Sequence, residues 1–407
     1  MSAARPYIPN AGKRTEPPRP YANDRKRQLQ IWWREIDRVL LGLVLSLMVL
    51  GSIAVMAASP ASAARLSTSD VTLNDLHFFL LHIRWQVLGI MVLFATSLLP
   101  QELARRGSII LGAAMLFALL LVPLIGFERN GATRWLDLGI AFQPSEFLKP
   151  AFAVLLAWIL SRKIRDPNLP VVPVSAGLLG YIVIMLMAQP NLGAAILFVG
   201  CWFVLVMLAG LPMKRIFTLT GAGLGGLVLA YIFYGNARNR IDAFFGGGTA
   251  YDQVDLASRT LLGGGWTGTG LGLGTNKMRL PEAHTDYIFS VIGEEFGLLA
   301  CAVIVVLYLA IILRVLVRLV DEDRLFIILA ASGLIALFGG QAFINMLMNL
   351  QLFPSKGMTL PLVSYGGSST IAQCFTIGLL LAITRRNPYL SREPFAMNGK
   401  PARGNKR

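Results

Sequence analysis

The sequence predicts an all-α, polytopic membrane protein of about ten transmembrane helices with both termini cytoplasmic. Three observations predict it. Of the 407 residues, 55% are hydrophobic and only 14% charged, against roughly a quarter charged in soluble domains, and the mean hydropathy is +0.61. Apolar runs recur along the chain, most of them near the ~20 residues a helix needs to cross a bilayer. The short loops between them alternate in Lys and Arg content, as the preference of basic loops for the cytoplasm requires.

Residues 1–37 are polar, rich in Pro and Arg and without apolar periodicity, so they read as a disordered basic cytoplasmic tail. The first apolar run, Val39 to Ala58, precedes Ala61-Ser62-Ala63, which mimics a signal-peptidase site. That run exceeds the roughly 7–15 residues of a signal h-region, so it is expected to be a retained span. Further runs lie at about 78–99, 108–126, 145–161, 171–188, 192–210, 216–235, 287–313, 325–348 and 368–384. With the tail inside, the inward loops carry Arg105-Arg106, Arg162-Lys163-Arg165, Lys214-Arg215, and Arg314, Arg318 and Arg324. Arg385-Arg386 and the basic tail at 387–407 close the pattern, leaving a transmembrane domain at 38–386. The longest outward loop, 236–286, joins spans 7 and 8; a loop of that length is commonly functional.

Several function classes drop out. The net charge of +15 resides in tails and short loops, with no basic, aromatic-interleaved face, so it marks topology rather than nucleic-acid binding. Cys201, Cys301 and Cys374 lie singly in apolar runs and form neither a disulfide framework nor a zinc motif. Gly263, Gly265 and Gly268 spell GxGxxG, but no strand precedes them; here glycine lets backbone approach a ligand or turns the chain. Walker A, HExxH and GxSxG motifs are absent from the sequence, which removes ATP-driven transport and the common hydrolases.

Three polar clusters share the outward face. The first runs from Glu128 through Arg129 and Arg134 to Gln143-Pro144-Ser145-Glu146-Phe147-Leu148-Lys149-Pro150. Arg129, Arg134 and Lys149 suit phosphate, whereas a bland reading makes Ser145 a helix cap and Lys149 an i,i+3 partner of Glu146. A lysine one turn into a span weighs toward function. The second cluster is Glu282, His284, Thr285 and Asp286. A helix beginning near Thr285 would place Asp286 in its first turn, where the dipole favours the carboxylate and suits metal binding or base work; a plain N-cap is the alternative. Glu294, two turns along the same face, is expected toward a bundle cavity, and Glu295 is as well explained by a pair with another span. The third cluster, Lys356 to Ser369, places Ser364, Gly366, Gly367 and Ser368 at the start of the last span, as an anion nest or a simple small-residue turn. Asn345 and Asn349 read as interhelical glue, and His77 and His82 as interfacial. Cations, an anion nest and acids at one outer face suit a lipid-linked diphosphate sugar; a transporter for an anionic solute is the competing class.

At these residues the chain resembles the SEDS family of shape, elongation, division and sporulation proteins, over about Asp37 to Pro388. PEAHTDYIFSVIGEEFG, LPLVSYGGSS and QPSEFLKP carry the resemblance, and Ser355 to Pro361 looks like the cell-division branch rather than the elongation branch. The resemblance implies a glycosyltransferase that polymerises lipid II into glycan strands by inverting transfer during septal wall synthesis. A lipid II flippase and the elongation paralogue are the alternatives. It implies Asp286 as the catalytic acid residue, acting as base or positioning a divalent cation such as Mg2+ or Mn2+. Arg134 and Lys149 fall at sensitive positions, with Glu146 nearby. Glu282, His284, Thr285, Lys356, Ser364, Gly366, Gly367 and Ser368 complete the expected substrate-binding set. Expected partners are lipid II, the nascent strand, a class B penicillin-binding transpeptidase and other division membrane proteins, in the bacterial cytoplasmic (inner) membrane at the septum. Asn191 stands where the family usually has Asp, so no acid role is carried to it, and Phe244 to Gly248 lacks the usual Asp-Pro.

Overall fold

The computed structural model describes residues 25–68, 72–129, 132–137, 139, 141–164, 166, 168–210, 251–354 and 357–386, with isolated positions between 218 and 242. The expected seventh span at 216–235, the Lys214-Arg215 loop and the tail at 387–407 fall outside or almost wholly outside the described residues. Contacts divide the chain into one unit of residues 1–36 with 386–407, and a second of Asp37–Arg385.

In the first unit, α1 (Arg25–Glu35) corrects the expectation of a wholly disordered tail. Pro20 is the last proline before it, and the Arg, Lys, Gln and Leu that follow are good helix formers.

The second unit is a helical membrane bundle. It contains α2 (Arg38–Leu66), α3 (His77–Ser97), α4 (Gln101–Ile125), α5 (Pro144–Ser161), α6 (Val171–Ala188), α7 (Leu192–Leu208) and α8 (Tyr251–Gly263). After these come α9 (Ile288–Leu319), α10 (Leu325–Asn349) and α11 (Gly367–Ile383). Seven of them are long and apolar enough to cross a membrane, and α7 and α11 are shorter apolar helices.

Helix ends sort by charge as the loop pattern requires. Arg385 donates to the Leu99 carbonyl at 2.7 Å, Gln101 to the Ile383 carbonyl at 2.9 Å and Arg318 to the Thr384 carbonyl at 3.1 Å. At that same end Asp37 caps α2 through Leu40 N–H and receives Arg314 at 2.8 Å and Arg318 at 2.9 Å. Taking this basic end as cytoplasmic puts the predicted polar clusters at the outer end.

Two features of the outer end were not anticipated. A three-stranded antiparallel sheet, β1 (Phe127–Arg129), β2 (Ala132–Asp137) and β3 (Ala141–Phe142), sits between α4 and α5. Thr133 and Trp135 favour extended backbone, and Arg134 projects from the middle strand. In addition, α9 is broken at Gly297, whose φ of 81° is not helical.

The Gly-rich segment after α8 fills that break. Thr269 and Gly270 N–H donate to the Glu294 and Glu295 carbonyls, while Leu298 and Leu299 N–H donate to the Gly265 and Trp266 carbonyls. A Cβ at Gly264 or Gly297 would overlap backbone atoms of the other partner. These glycines therefore bring backbone to backbone rather than backbone to ligand. Nor does Glu294 point into the bundle cavity: it accepts from Asn276 N–H at 2.7 Å and Lys277 N–H at 2.9 Å. Glu295 pairs with buried Lys277, which also donates to the Ala57 carbonyl. The loop supplies the partners these buried acids need.

Candidate functional site

At the outer end the bundle encloses a cavity of about 580 Å³. Its walls come from β2 and β3, α5, the turn before α9, the strap before α11 and the first turn of α11, with Trp85 of α3 on one side. Asp286, Glu282, Thr285, Arg134, Glu146, Lys149, Gly366, Gly367 and Ser368 all line it. The three polar clusters, far apart in sequence, thus meet in one space.

Asp286 lies in the turn 281–287, ahead of the helix rather than inside its first turn. The helix starts at Ile288 with Tyr287 as N-cap, and no side chain caps it. The delay has a cause in α10. Asn345 and Asn349 donate to the Asp286 carbonyl at 2.8 and 3.2 Å, while Asn349 Oδ1 accepts from Ser290 N–H at 3.2 Å and Ser290 Oγ at 2.7 Å. A bond from Ser290 N–H to the Asp286 carbonyl would have begun the helix earlier, and the asparagines occupy both groups. Asp286 therefore lies outside the helix's first turn, and neither Thr285 nor Asp286 caps it. Thr285 instead donates to Glu282 Oε2 at 2.6 Å, and Glu282 adopts left-handed backbone with φ 53°.

Asn345 also donates to the Met358 carbonyl at 2.6 Å, so one side chain ties the Asp286 turn to the strap at 357–360. That strap passes beside Asp286 and Arg134. The Cβ direction of Gly357 points 3.3 Å from Asp286 Oδ2 and 3.9 Å from Arg134 Nη1. Arg134 is aimed by donating to the Pro190 carbonyl and, at 3.3 Å, to the Gln189 carbonyl at the end of α6. Next to these carbonyls, Asn191 caps α7 by accepting from Ala194 N–H at 3.3 Å and also lines the cavity. Asn and Asp cap equally well, which accounts physically for the departure at this position.

Lys149 is buried and donates to Glu146 Oε1 and Gln341 Oε1, each at 2.7 Å. Gln373 donates to the same Gln341 oxygen at 3.2 Å, and Gln341 donates to the Thr359 carbonyl at 3.0 Å. The i,i+3 pair of the bland reading is thus present, but it faces the cavity inside a polar network. Ser145 makes no cap: Gln143 is the N-cap residue, and Ser145 Oγ and Glu146 Oε2 have no hydrogen-bond partner among the described residues.

At the first turn of α11, Gly366, Gly367, Ser368 and Ser369 line the cavity. A Cβ on Gly367 would come within 3.0 Å of the Trp85 ring, so the helix start and the indole touch only because the residue is glycine. Leading amides and the helix dipole favour an anion at this corner.

Two expected contact residues lie behind the wall instead. His284 is buried against Phe78 and Tyr365 and bonds Ser62 Oγ through Nδ1 at 2.7 Å. Ser364 donates to the Thr285 carbonyl at 2.6 Å and accepts from Leu360 N–H at 2.7 Å. Both shape the turn that carries Asp286. Lys356 and Asn130 lie outside the described residues, as does the side chain of Arg129. The sequence reading missed Trp85, Gln341 and Gln373, although a glutamine in an apolar span is itself a signal.

Among the described residues no three His, Cys, Asp or Glu side chains converge as a metal cage. The cavity does hold Asp286 together with an anion-favouring corner. That donor set fits a cation of the Mg2+ kind, which is commonly held by one or two carboxylates plus substrate phosphates. The three cysteines are buried and free.

Fold and cavity define a polytopic membrane protein that gathers charged and polar side chains in a cavity at one end of its bundle. A family model described as "Cell cycle protein", for FtsW, RodA and SpoVE, matches residues 37–389. The chain belongs to this FtsW, RodA and SpoVE family. A probable peptidoglycan glycosyltransferase FtsW of Caulobacter vibrioides is 34% identical over 370 residues, covering 90% of this chain and 94% of that protein. Its counterpart in Thioalkalivibrio sulfidiphilus is 35% identical over 383 residues, covering 89% and 93%. A chain of a solved peptidoglycan synthase complex that coordinates polymerization and crosslinking superposes with a TM-score of 0.69 at 27% identity, covering 86% of this chain and 98% of that one. Rod shape determining protein RodA of Thermus thermophilus gives 0.64 at 27%, covering 86% and 97%.

Proposed function

We propose that this protein is a peptidoglycan glycosyltransferase of septal wall synthesis that joins lipid II units into glycan strands. The observation that carries this reading is the meeting of Asp286, Arg134 and Lys149 in one outward cavity.

The acceptor sugar's 4-hydroxyl oxygen attacks the donor's anomeric carbon, the bond from that carbon to diphosphate oxygen breaks, and polyprenyl diphosphate leaves. Asp286 takes the hydroxyl proton on its carboxylate, and Asn345 and Asn349 hold the residue's backbone in place through its carbonyl. Arg134 and Lys149 counter the charge that develops on the diphosphate, and the α11 amides add to them. Glu146 fixes the Lys149 ammonium toward the cavity. Fixed groups of this kind need no reorganisation during the reaction, which is where their advantage over water arises. In the alternative role, Asp286 and the substrate phosphates would hold a divalent cation such as Mg2+ or Mn2+, which would supply electrostatic stabilisation of the leaving group.

By analogy with the synthase complex, the partner is a class B penicillin-binding transpeptidase, together with other division membrane proteins. The location is the bacterial inner membrane at the septum. In proteoliposomes carrying the protein with its transpeptidase partner and labelled lipid II, polymer and free polyprenyl diphosphate should accumulate together. Movement of intact lipid II between leaflets without polymer would instead establish a flippase.

A further inference from the structure

We propose that the Gly-rich segment 262–276 is a membrane-interface anchor that seats the turn carrying Asp286 against the outer leaflet. Leu262 to Asn276 holds no Asp, Glu, Lys or Arg, so no charged side chain opposes its contact with lipid. Its large side chains point outward: Trp266 is 71% exposed and Leu273 69%, with Leu262 and Leu271 exposed as well.

The occupant follows from where the segment is fastened. Leu299 N–H donates to the Trp266 carbonyl, which sets Trp266 at the top of an exposed stripe of α9 formed by Leu299, Val303, Val306, Leu313 and Val317. The spacing is that of one helix face, on a helix long and apolar enough to span. This stripe faces lipid, and the loop continues it upward. Irregular backbone is tolerated near lipid only when its polar groups are bonded within the protein. The bonds across the Gly297 break supply that condition at Gly265, Trp266, Thr269 and Gly270. Tryptophan at such a level is the side chain favoured by the headgroup region. Asn276, the last residue of the segment, and Lys277 after it are tied to Glu294, and Pro281 opens the turn that carries Asp286. Depth set by the anchor is thereby passed to the site that receives a lipid-linked substrate.

The test needs no enzymatic readout, so it stands apart from the reading of the reaction. A nitroxide is placed at Leu273→Cys and separately at Leu271→Cys in protein alone in nanodiscs, the native cysteines being buried. Collision with lipid-soluble oxygen is compared with collision with water-soluble Ni-EDDA. Val306→Cys serves as the lipid-facing reference and Arg259→Cys, on the polar face of α8, as the aqueous one. The oxygen-to-nickel ratio at 271 and 273 should lie well above that at 259 and approach that at 306. A ratio equal to that at 259 places the loop in water and overturns the proposal. Low collision with both reagents shows the loop covered by protein, such as a second copy, and overturns it as well.

Discussion

Asp286 owes its place to residues that touch no substrate. Asn345 holds its carbonyl and that of Met358 at once, so the turn and the strap are fixed relative to each other by one amide. Replacing Asn345 by Leu leaves buried carbonyls short of a donor and should cost about 1–3 kcal/mol. The expected outcome is a lower melting temperature together with a fall in kcat larger than any change in KM, and unchanged turnover would remove Asn345 from the positioning role. Lys149 should behave differently. Lys149→Met removes a cavity cation and leaves half-buried Glu146 without its partner, so turnover should fall at least tenfold, which corresponds to about 1.4 kcal/mol of transition-state stabilisation. A variant with wild-type turnover would show that the pair only packs. Side-chain chemistry at these positions was readable from sequence, because acids and a lysine at span ends are conspicuous. The bonds of Asn345 were not, since their acceptors are backbone carbonyls and a sequence does not reveal which carbonyls a helix leaves open.

Among the elements, α9 and its loop form the unit that the sequence described least well. A run of glycines before an acidic pair invited a ligand-binding reading, whereas the structure uses the glycines to lay one backbone on another across the break at Gly297. Lys277 then compensates Glu295 inside the clasp. Lys277→Met should destabilise the protein by about 3–5 kcal/mol, the usual penalty for leaving a buried charge uncompensated. Thermal unfolding in detergent measures this, and the double variant with Glu295→Gln should recover part of the loss; a single variant as stable as wild type would show the clasp is not held by charge. The strands at 127–142 escaped notice for another reason. They are two to six residues long and their pairing is set by the ends of α4 and α5, so no alternating pattern had room to develop.

At the scale of the bundle, the alternation of basic loops was the most legible property, and the structure places Arg314, Arg318, Arg324 and Arg385 at one end. Asp37 shows what that end contributes. Burial pushes its carboxyl up, but hydrogen bonds from Arg314, Leu40 N–H and Arg318 outweigh burial and hold it below the ordinary carboxylate range. A carboxyl lowered on folding adds stability above its unfolded value and loses it as pH falls through the folded one. Stability should therefore decline below about pH 4, the ordinary Asp range, and Asp37→Asn should flatten that decline. An unchanged acid limb in the variant would assign the effect elsewhere. At the opposite end, three sequence clusters converge on one cavity because alternate helices return their polar ends to the same face. The role proposed for Asp286 is to carry the polymerisation of a lipid-linked sugar in this cavity. Its most direct measurement is glycan-strand formation by purified complexes of the wild type and of Asp286→Asn, matched for folding by melting temperature and for lipid II binding. Polymer is expected from the wild type and none from the variant, with binding retained; equal polymer from both would remove Asp286 from the reaction.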